Sequence, residues 1–143
     1  MLSKELDNTA VKSFMGKILK EAIFDDFDVR TVDIFAQMRI NLECAKEEGF
    51  LSWSQVRPLV YEIIKASPKP KHIKIVLSYS QPLNIHPNAA VAFLNIVYEN
   101  DGVIFTTATA QKEFALDKAH DSAWDEYITS FFVTNSLVVS DRE

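Results

Sequence analysis

The sequence predicts an α+β fold, in which a mainly antiparallel sheet of about five strands packs with three helices in the order α-β-β-α-β-β-β-α. Three observations carry that expectation. Apolar residues recur every three to four positions in three separate stretches, as on the buried side of a helix. Between those stretches apolar and polar residues alternate, as in strands with one wet face. The strands are joined by short turns rather than by the long crossovers that a parallel sheet requires. The 143 residues suit a single domain, 1–143, with loose ends expected at 1–7 and 134–143. A chain of this size buries roughly 70% of its unfolded surface, enough for a core without staples.

Val11, Phe14, Met15, Ile18, Leu19, Ala22 and Ile23 place the first helix at about 8–24. From Val32 to Leu42 the period falls to two, which fits either two strands with a poorly marked turn or one long bent strand. Ser52 with Gln55 three positions later has the form of a helix-starting capping box. Pro58 leaves two readings open: a short turn followed by a helix over 58–66, or one continuous helix, with Leu59, Val60, Ile63 and Ile64 as the buried stripe. The run "SPKPK" ends that helix, and Ile73, Ile75, Leu77 and Tyr79 then alternate as a strand. A two-residue turn inside "ENDG" pairs 92–99 with 103–109 as a hairpin, putting Leu94, Ile96 and Tyr98 on one face with Val103, Phe105, Thr107 and Thr109. Phe114 and Leu116 suggest a brief further strand. Asp117 is placed to cap a last helix with an apolar stripe that includes His120, Trp124, Ile128 and Phe132. Leu137, Val138 and Val139 could add an edge strand or meet a partner, including a second copy.

Composition excludes several classes. Hydrophobic residues at 48% and charged residues at 24% are ordinary globular usage. Cys44 is the only cysteine, so neither an internal disulfide nor a multi-cysteine zinc site can form, and a reducing compartment follows as the expectation. No apolar run reaches the ~20 residues of a membrane span and the start shows no signal-peptide core, so a cytoplasmic protein without membrane contact is expected. The net charge of −5 is unevenly spread: residues 51–74 hold five basic side chains and one acidic, between two acidic halves.

The pieces "VKSFMGKIL" and "FDDF", then "RPLVYEIIKASPKPKHIKIVLSYS", and finally "LNIVYENDGVIFTTAT", "FALDK" and "WDEY" follow an order that resembles an uncharacterised family of short bacterial single-domain proteins. That resemblance implies one compact α+β domain and supplies no activity, cofactor or catalytic residue. The family pattern has a Thr-Gly-Thr-Ser run where this chain has Ala108 and Ala110, and an Ile-Asp-Gly turn where it has Ile40, Asn41 and Leu42. Both departures speak against a phosphate or metal site in those loops.

The residues themselves offer few motifs. With glycine only at Gly16, Gly49 and Gly102, no phosphate-cradling loop can be built. His72, His86 and His120 lack metal-ligand spacing, and His120 reads as a packing residue. Asp117, Asp121 and Asp125 recur at helical spacing and could grip a hard cation, but the plainer reading of the same pattern is a solvated helix face with a favourable N-terminal charge. Asp25, Asp26 and Asp28 could supply acid and base, although a local acidic cluster is ordinarily just solvated. Thr106 and Thr109 are possible ligand contacts, against the plainer reading that threonine suits a strand. Arg39, Arg57, Lys65, Lys69, Lys71, His72 and Lys74 would form a phosphate-binding patch if one surface gathers them. The expected function is therefore a non-catalytic binding or interaction module, with no cofactor called for. The alternatives are nucleic-acid association through the 57–74 segment and a small enzyme with an unrecognised site.

Overall fold

The computed structural model describes residues 1–66 and 69–142; Ser67, Pro68 and Glu143, and with them the expected break after the second helix, lie outside the described residues. The elements in chain order are β1 Ser3–Leu6, α1 Val11–Lys20, β2 Phe27–Phe35, β3 Arg39–Glu43, α2 Trp53–Ala66, β4 His72–Tyr79, β5 Ala89–Glu99, β6 Gly102–Gln111, α3 Ala119–Thr134 and β7 Val139–Asp141. The fold is α+β with three helices and an antiparallel sheet, as expected. Among the described residues the sheet has seven strands rather than five, in the order β3-β2-β4-β5-β6-β1-β7. The two extra strands come from the ends of the chain. β1 lies between β6 and β7, with Lys4 opposite both Phe105 and Asp141. The element order is thus β-α-β-β-α-β-β-β-α-β.

The centre of the sheet follows the alternating pattern closely. Asn100 and Asp101 both sit at positive φ, 53° and 59°, which a two-residue type I′ turn requires at its central positions. The turn sets Leu94 against Thr107, Ile96 against Phe105 and Tyr98 against Val103, the register expected of the hairpin. At the other side of the sheet β2 and β3 are two strands, closed by a tight turn in which Ala36 N–H donates to the Met38 carbonyl. A bulge between Val29 and Thr31 brings Phe27 and Val29 onto the same face as Val32 and Ile34. Alternation read from Val32 alone therefore missed the first half of β2.

The inward face of the sheet and the helices share one core. Trp53, Trp124, Phe14, Phe24, Phe27, Phe105 and Phe132 are fully buried in it, each worth roughly 1.5–3 kcal/mol by area alone. Phe105 meets Phe14 edge-on at 5.4 Å between ring centroids and Phe132 at 4.9 Å, joining β6 to α1 and α3. Buried tryptophan N–H groups need acceptors. Trp53 Nε1 donates to the Ile18 carbonyl at 2.9 Å and Trp124 Nε1 to the Phe93 carbonyl at 2.8 Å, so each ties a helix to its neighbour.

Several local expectations shift in detail. The first helix proper spans Val11–Lys20 behind a 3-10 turn at Asn8–Ala10, shorter than the periodicity suggests. The second helix is continuous through Pro58, and Ser52 N–H donates to Gln55 Oε1 at 3.0 Å, the backward half of a capping box. Its buried side is Trp53, Val56 and Val60, while Leu59 is 54% exposed. Phe114 and Leu116 form no strand and stand in a loop, 86% and 87% exposed. No described helix is long and apolar enough to cross a membrane.

Candidate functional site

The hydroxyls of β6 divide between the two faces of the sheet, because successive strand residues point to opposite sides. Thr106 lies on the outward face, where its Oγ1 accepts from Asn95 Nδ2 at 3.3 Å. Thr107 and Thr109 point toward α3. Thr107 Oγ1 donates to Asp125 Oδ1 at 2.6 Å and accepts from Leu2 N–H at 2.7 Å. Asp125 also meets the Met1 amino group at 3.3 Å. One turn earlier on α3, Asp121 accepts from the Thr109 hydroxyl. That leaves the Thr109 oxygen to accept from His120 Nδ1–H at 3.2 Å. His120 Nε2 is buried with no hydrogen-bond partner among the described residues. Asp121 and Asp125 thus pin α3 to β6 through threonine. No group of three or more potential metal-ligating side chains is found among the described residues. Asp117 stands one residue before the helix cap, Lys118, and accepts from Ala119 N–H at 3.3 Å.

The basic residues separate into groups. Arg57 forks onto Asp25, with Nε–Oδ1 at 3.0 Å and Nη2–Oδ2 at 3.1 Å, on the helix side of the molecule. Lys65 reaches toward the Tyr61 ring on α2. Lys69 pairs with Asp101 at 2.6 Å. Arg39, Lys71, His72 and Lys74 come together at one corner of the outward face, around Phe35: the Arg39 guanidinium lies 5.8 Å and the Lys71 ammonium 5.9 Å from that ring's centre. Asp33 shares the corner, 3.9 Å from Arg39 Nε.

A further concavity lies elsewhere. A cleft of about 500 Å3 opens between α1, the end of α2 and the β5–β6 turn. Val11, Met15, Leu19, Ile64 and Ile73 form its apolar wall. The polar groups, Asn8, Lys12, Lys69, Tyr98 and Asp101, sit around them. Asp101 Oδ1 accepts both Lys69 Nζ at 2.6 Å and the Tyr98 hydroxyl at 3.1 Å, so the turn residue fixes the polar end of the cleft. The Lys69 hydrogen bond holds the Asp101 carboxyl below its usual range, and burial, followed by the Asp101 hydrogen bond, pushes the Tyr98 phenol up. Two lysines against one aspartate leave the lining positive, and the first turn of α1, beside Asn8 and Val11, adds the positive end of a helix dipole.

Of these cleft residues only Lys69 was singled out in the sequence, for its charge. The wall residues carried a core signal and Asp101 a turn signal, because the cleft exists only where four separated segments meet. No curated protein and no solved structure matches the chain. The model of a family of unknown function, DUF5721, matches residues 40–140, which runs from the second residue of β3 into β7. The chain belongs to that family of unknown function, as the order of its sequence pieces suggested.

Proposed function

We propose that the protein is a non-catalytic binding module, and that its α1–α2 cleft takes an apolar group carrying a carboxylate. The observation behind this is the division of the lining into an apolar wall and a net positive set of polar groups. A cleft of this size and composition is typical of sites that bind through shape and orient through a few polar contacts. The apolar part of the occupant lies against Met15, Leu19, Ile64 and Ile73, while its acid meets Lys12 and Lys69. A series of straight-chain carboxylates from butyrate to decanoate tests the reading by thermal shift, since a molecule that binds only the native state raises its melting temperature. The shift is expected to grow with chain length and to vanish in the Ile64→Trp variant, which plugs the wall. A shift independent of chain length, or unchanged by the plug, would sink the proposal.

A second reading concerns nucleic acid. It draws support from the corner where Arg39, Lys71, His72 and Lys74 surround the partly exposed Phe35 ring, a combination of cations and an aromatic platform that suits single strands. Binding of a labelled oligonucleotide that weakens steeply with salt, and weakens again in Lys71→Glu and Lys74→Glu, would support it. Absence of binding at low salt removes it.

A further inference from the structure

We infer that the loop 112–118 of one copy docks into the α1–α2 cleft of a second copy, head to tail. This rests on reading the cleft as a site for an acid-flanked apolar group. The loop offers such a group at its tip, where "EFALD" sets Phe114 and Leu116 between Glu113 and Asp117, with Lys112 and Lys118 one residue further out at its two ends. Phe114 and Leu116 are 86% and 87% exposed, an unusual state for two large apolar side chains two residues apart.

Their exposure is not looseness of the loop, because two side-chain amides brace its backbone from both sides. Asn88 Nδ2 donates to the Glu113 carbonyl and Asn88 Oδ1 accepts from Glu113 N–H, both at 3.0 Å. Gln111 Oε1 accepts from Ala115 N–H at 2.7 Å, and Gln111 Nε2 donates to the Ala115 carbonyl at 3.3 Å. Each amide satisfies both backbone groups of one loop residue, as a neighbouring strand would, and so holds the apolar pair outward without burying it. A segment already in its docked conformation loses less entropy on binding.

The same chain carries the matching receptor. Phe114 and Leu116 answer the apolar wall, and the flanking Glu113 and Asp117 answer Lys12 and Lys69. The loop cannot fill the cleft of its own chain. It follows Gln111, the last residue of β6, which lies opposite the first residue of β5, whereas Tyr98 and, in the turn just beyond, Asp101 lie at the far end of the 11-residue β5. At ~3.4 Å per residue the two sites are roughly 35 Å apart. Contact between unlike surfaces at opposite poles gives a ring where the rotation closes and an open chain where it does not.

Sedimentation velocity of the full chain over a range of concentrations tests this. The wild type is expected to self-associate, and Phe114→Ser/Leu116→Ser, at exposed positions that leave the fold intact, is expected to raise the dissociation constant by roughly thirtyfold or more. Ile64→Trp and excess octanoate should both dissolve the assembly by occupying the cleft. Mixing a Leu116→Cys variant with a Lys12→Cys variant should trap a disulfide between the two chains, with the buried Cys44 taking no part. A chain that stays monomeric at millimolar concentration overturns the inference. So does an assembly that survives the serine pair, or one that ignores Ile64→Trp. Octanoate binding retained by a monomeric chain would leave the cleft reading standing while removing this one.

Discussion

Replacing Thr107 by valine isolates the contact that ties β6 to α3. The two side chains have nearly the same shape and valine is at home in a strand, so the substitution removes a hydroxyl and little else. Thr107 is 1% exposed, and its hydroxyl serves both Asp125 Oδ1 at 2.6 Å and Leu2 N–H at 2.7 Å. A hydrogen bond to a charged group contributes about 1.5–3 kcal/mol, and leaving its partners in a partly buried place adds to the loss. Asp125 keeps the Met1 amino group and some solvent, which limits the damage. A destabilisation of about 2.5 kcal/mol follows. With roughly 2.1 cal/mol/K of unfolding entropy per residue, spread over 143 residues, this lowers the melting temperature by about 8 °C. Urea unfolding followed by the fluorescence of the buried Trp53 and Trp124 reports it. Thr106→Val is the control, since Thr106 is half-buried on the outward face and accepts only from Asn95 at 3.3 Å; its change should stay within about 0.5 kcal/mol. Equal effects at the two positions would refute the assignment of the two hydroxyls to different environments.

Three further outcomes are expected. Burial, followed by the Tyr79 hydroxyl, pushes the Tyr127 phenol up to about 12, above its unfolded value of about 10. The fold therefore holds the neutral phenol, and the stability it contributes is intact below pH ~10 and lost as pH rises through ~12; ultraviolet titration should show a phenol ionising near pH 12, and Tyr127→Phe should remove that step. Phe105→Ala is expected to cost about 3–5 kcal/mol in urea unfolding, whereas Phe114→Ala should change stability by less than about 0.5 kcal/mol, and comparable losses would contradict the burial of one ring and the exposure of the other. Burial pushes the Cys44 thiol up, so a thiol reagent at neutral pH should react only as fast as the chain opens, and urea should accelerate the reaction sharply; rapid labelling of the native protein would place Cys44 at the surface.

The legible parts of the fold were those with local causes. The hairpin announced itself because an Asn-Asp-Gly run tolerates two successive residues at positive φ, and the core face of β4, β5 and β6 followed from simple alternation. β1 gave no such signal, and the apolar run at Leu137–Val139 left an edge strand as one of two readings. They are four and three residues long; β1 is held by β6 on one side and β7 on the other, and β7 is a strand through its pairing with β1. The bulge beside Arg30 hid the start of β2, since an inserted residue changes the parity that alternation depends on. Phe114 and Leu116 imitated a strand by alternating, yet the backbone groups of their neighbours Glu113 and Ala115 are met by the side chains of Asn88 and Gln111, which no periodicity reveals.

The sites behaved likewise. Charge singled out Arg57, Lys65, Lys69 and Lys74 together, but topology sends Arg57 to Asp25, Lys69 to Asp101 and Lys74 to the outward face. Thr106 and Thr109, neighbours on one strand, end on opposite faces for the same reason that made the strand recognisable. The cleft could not be read at all from a single segment. Its wall residues look like core residues in sequence, and only the gap between α1, α2 and the β5–β6 turn makes them a surface.

The cleft is tested most directly by an amide nitrogen–proton correlation spectrum titrated with octanoate. Shifts concentrated at Val11, Met15, Ile64, Lys69, Tyr98 and Asp101, saturating together, are the predicted result. Saturable shifts on the outward face around Phe35 and Lys74, or none at any octanoate concentration short of unfolding, would contradict it.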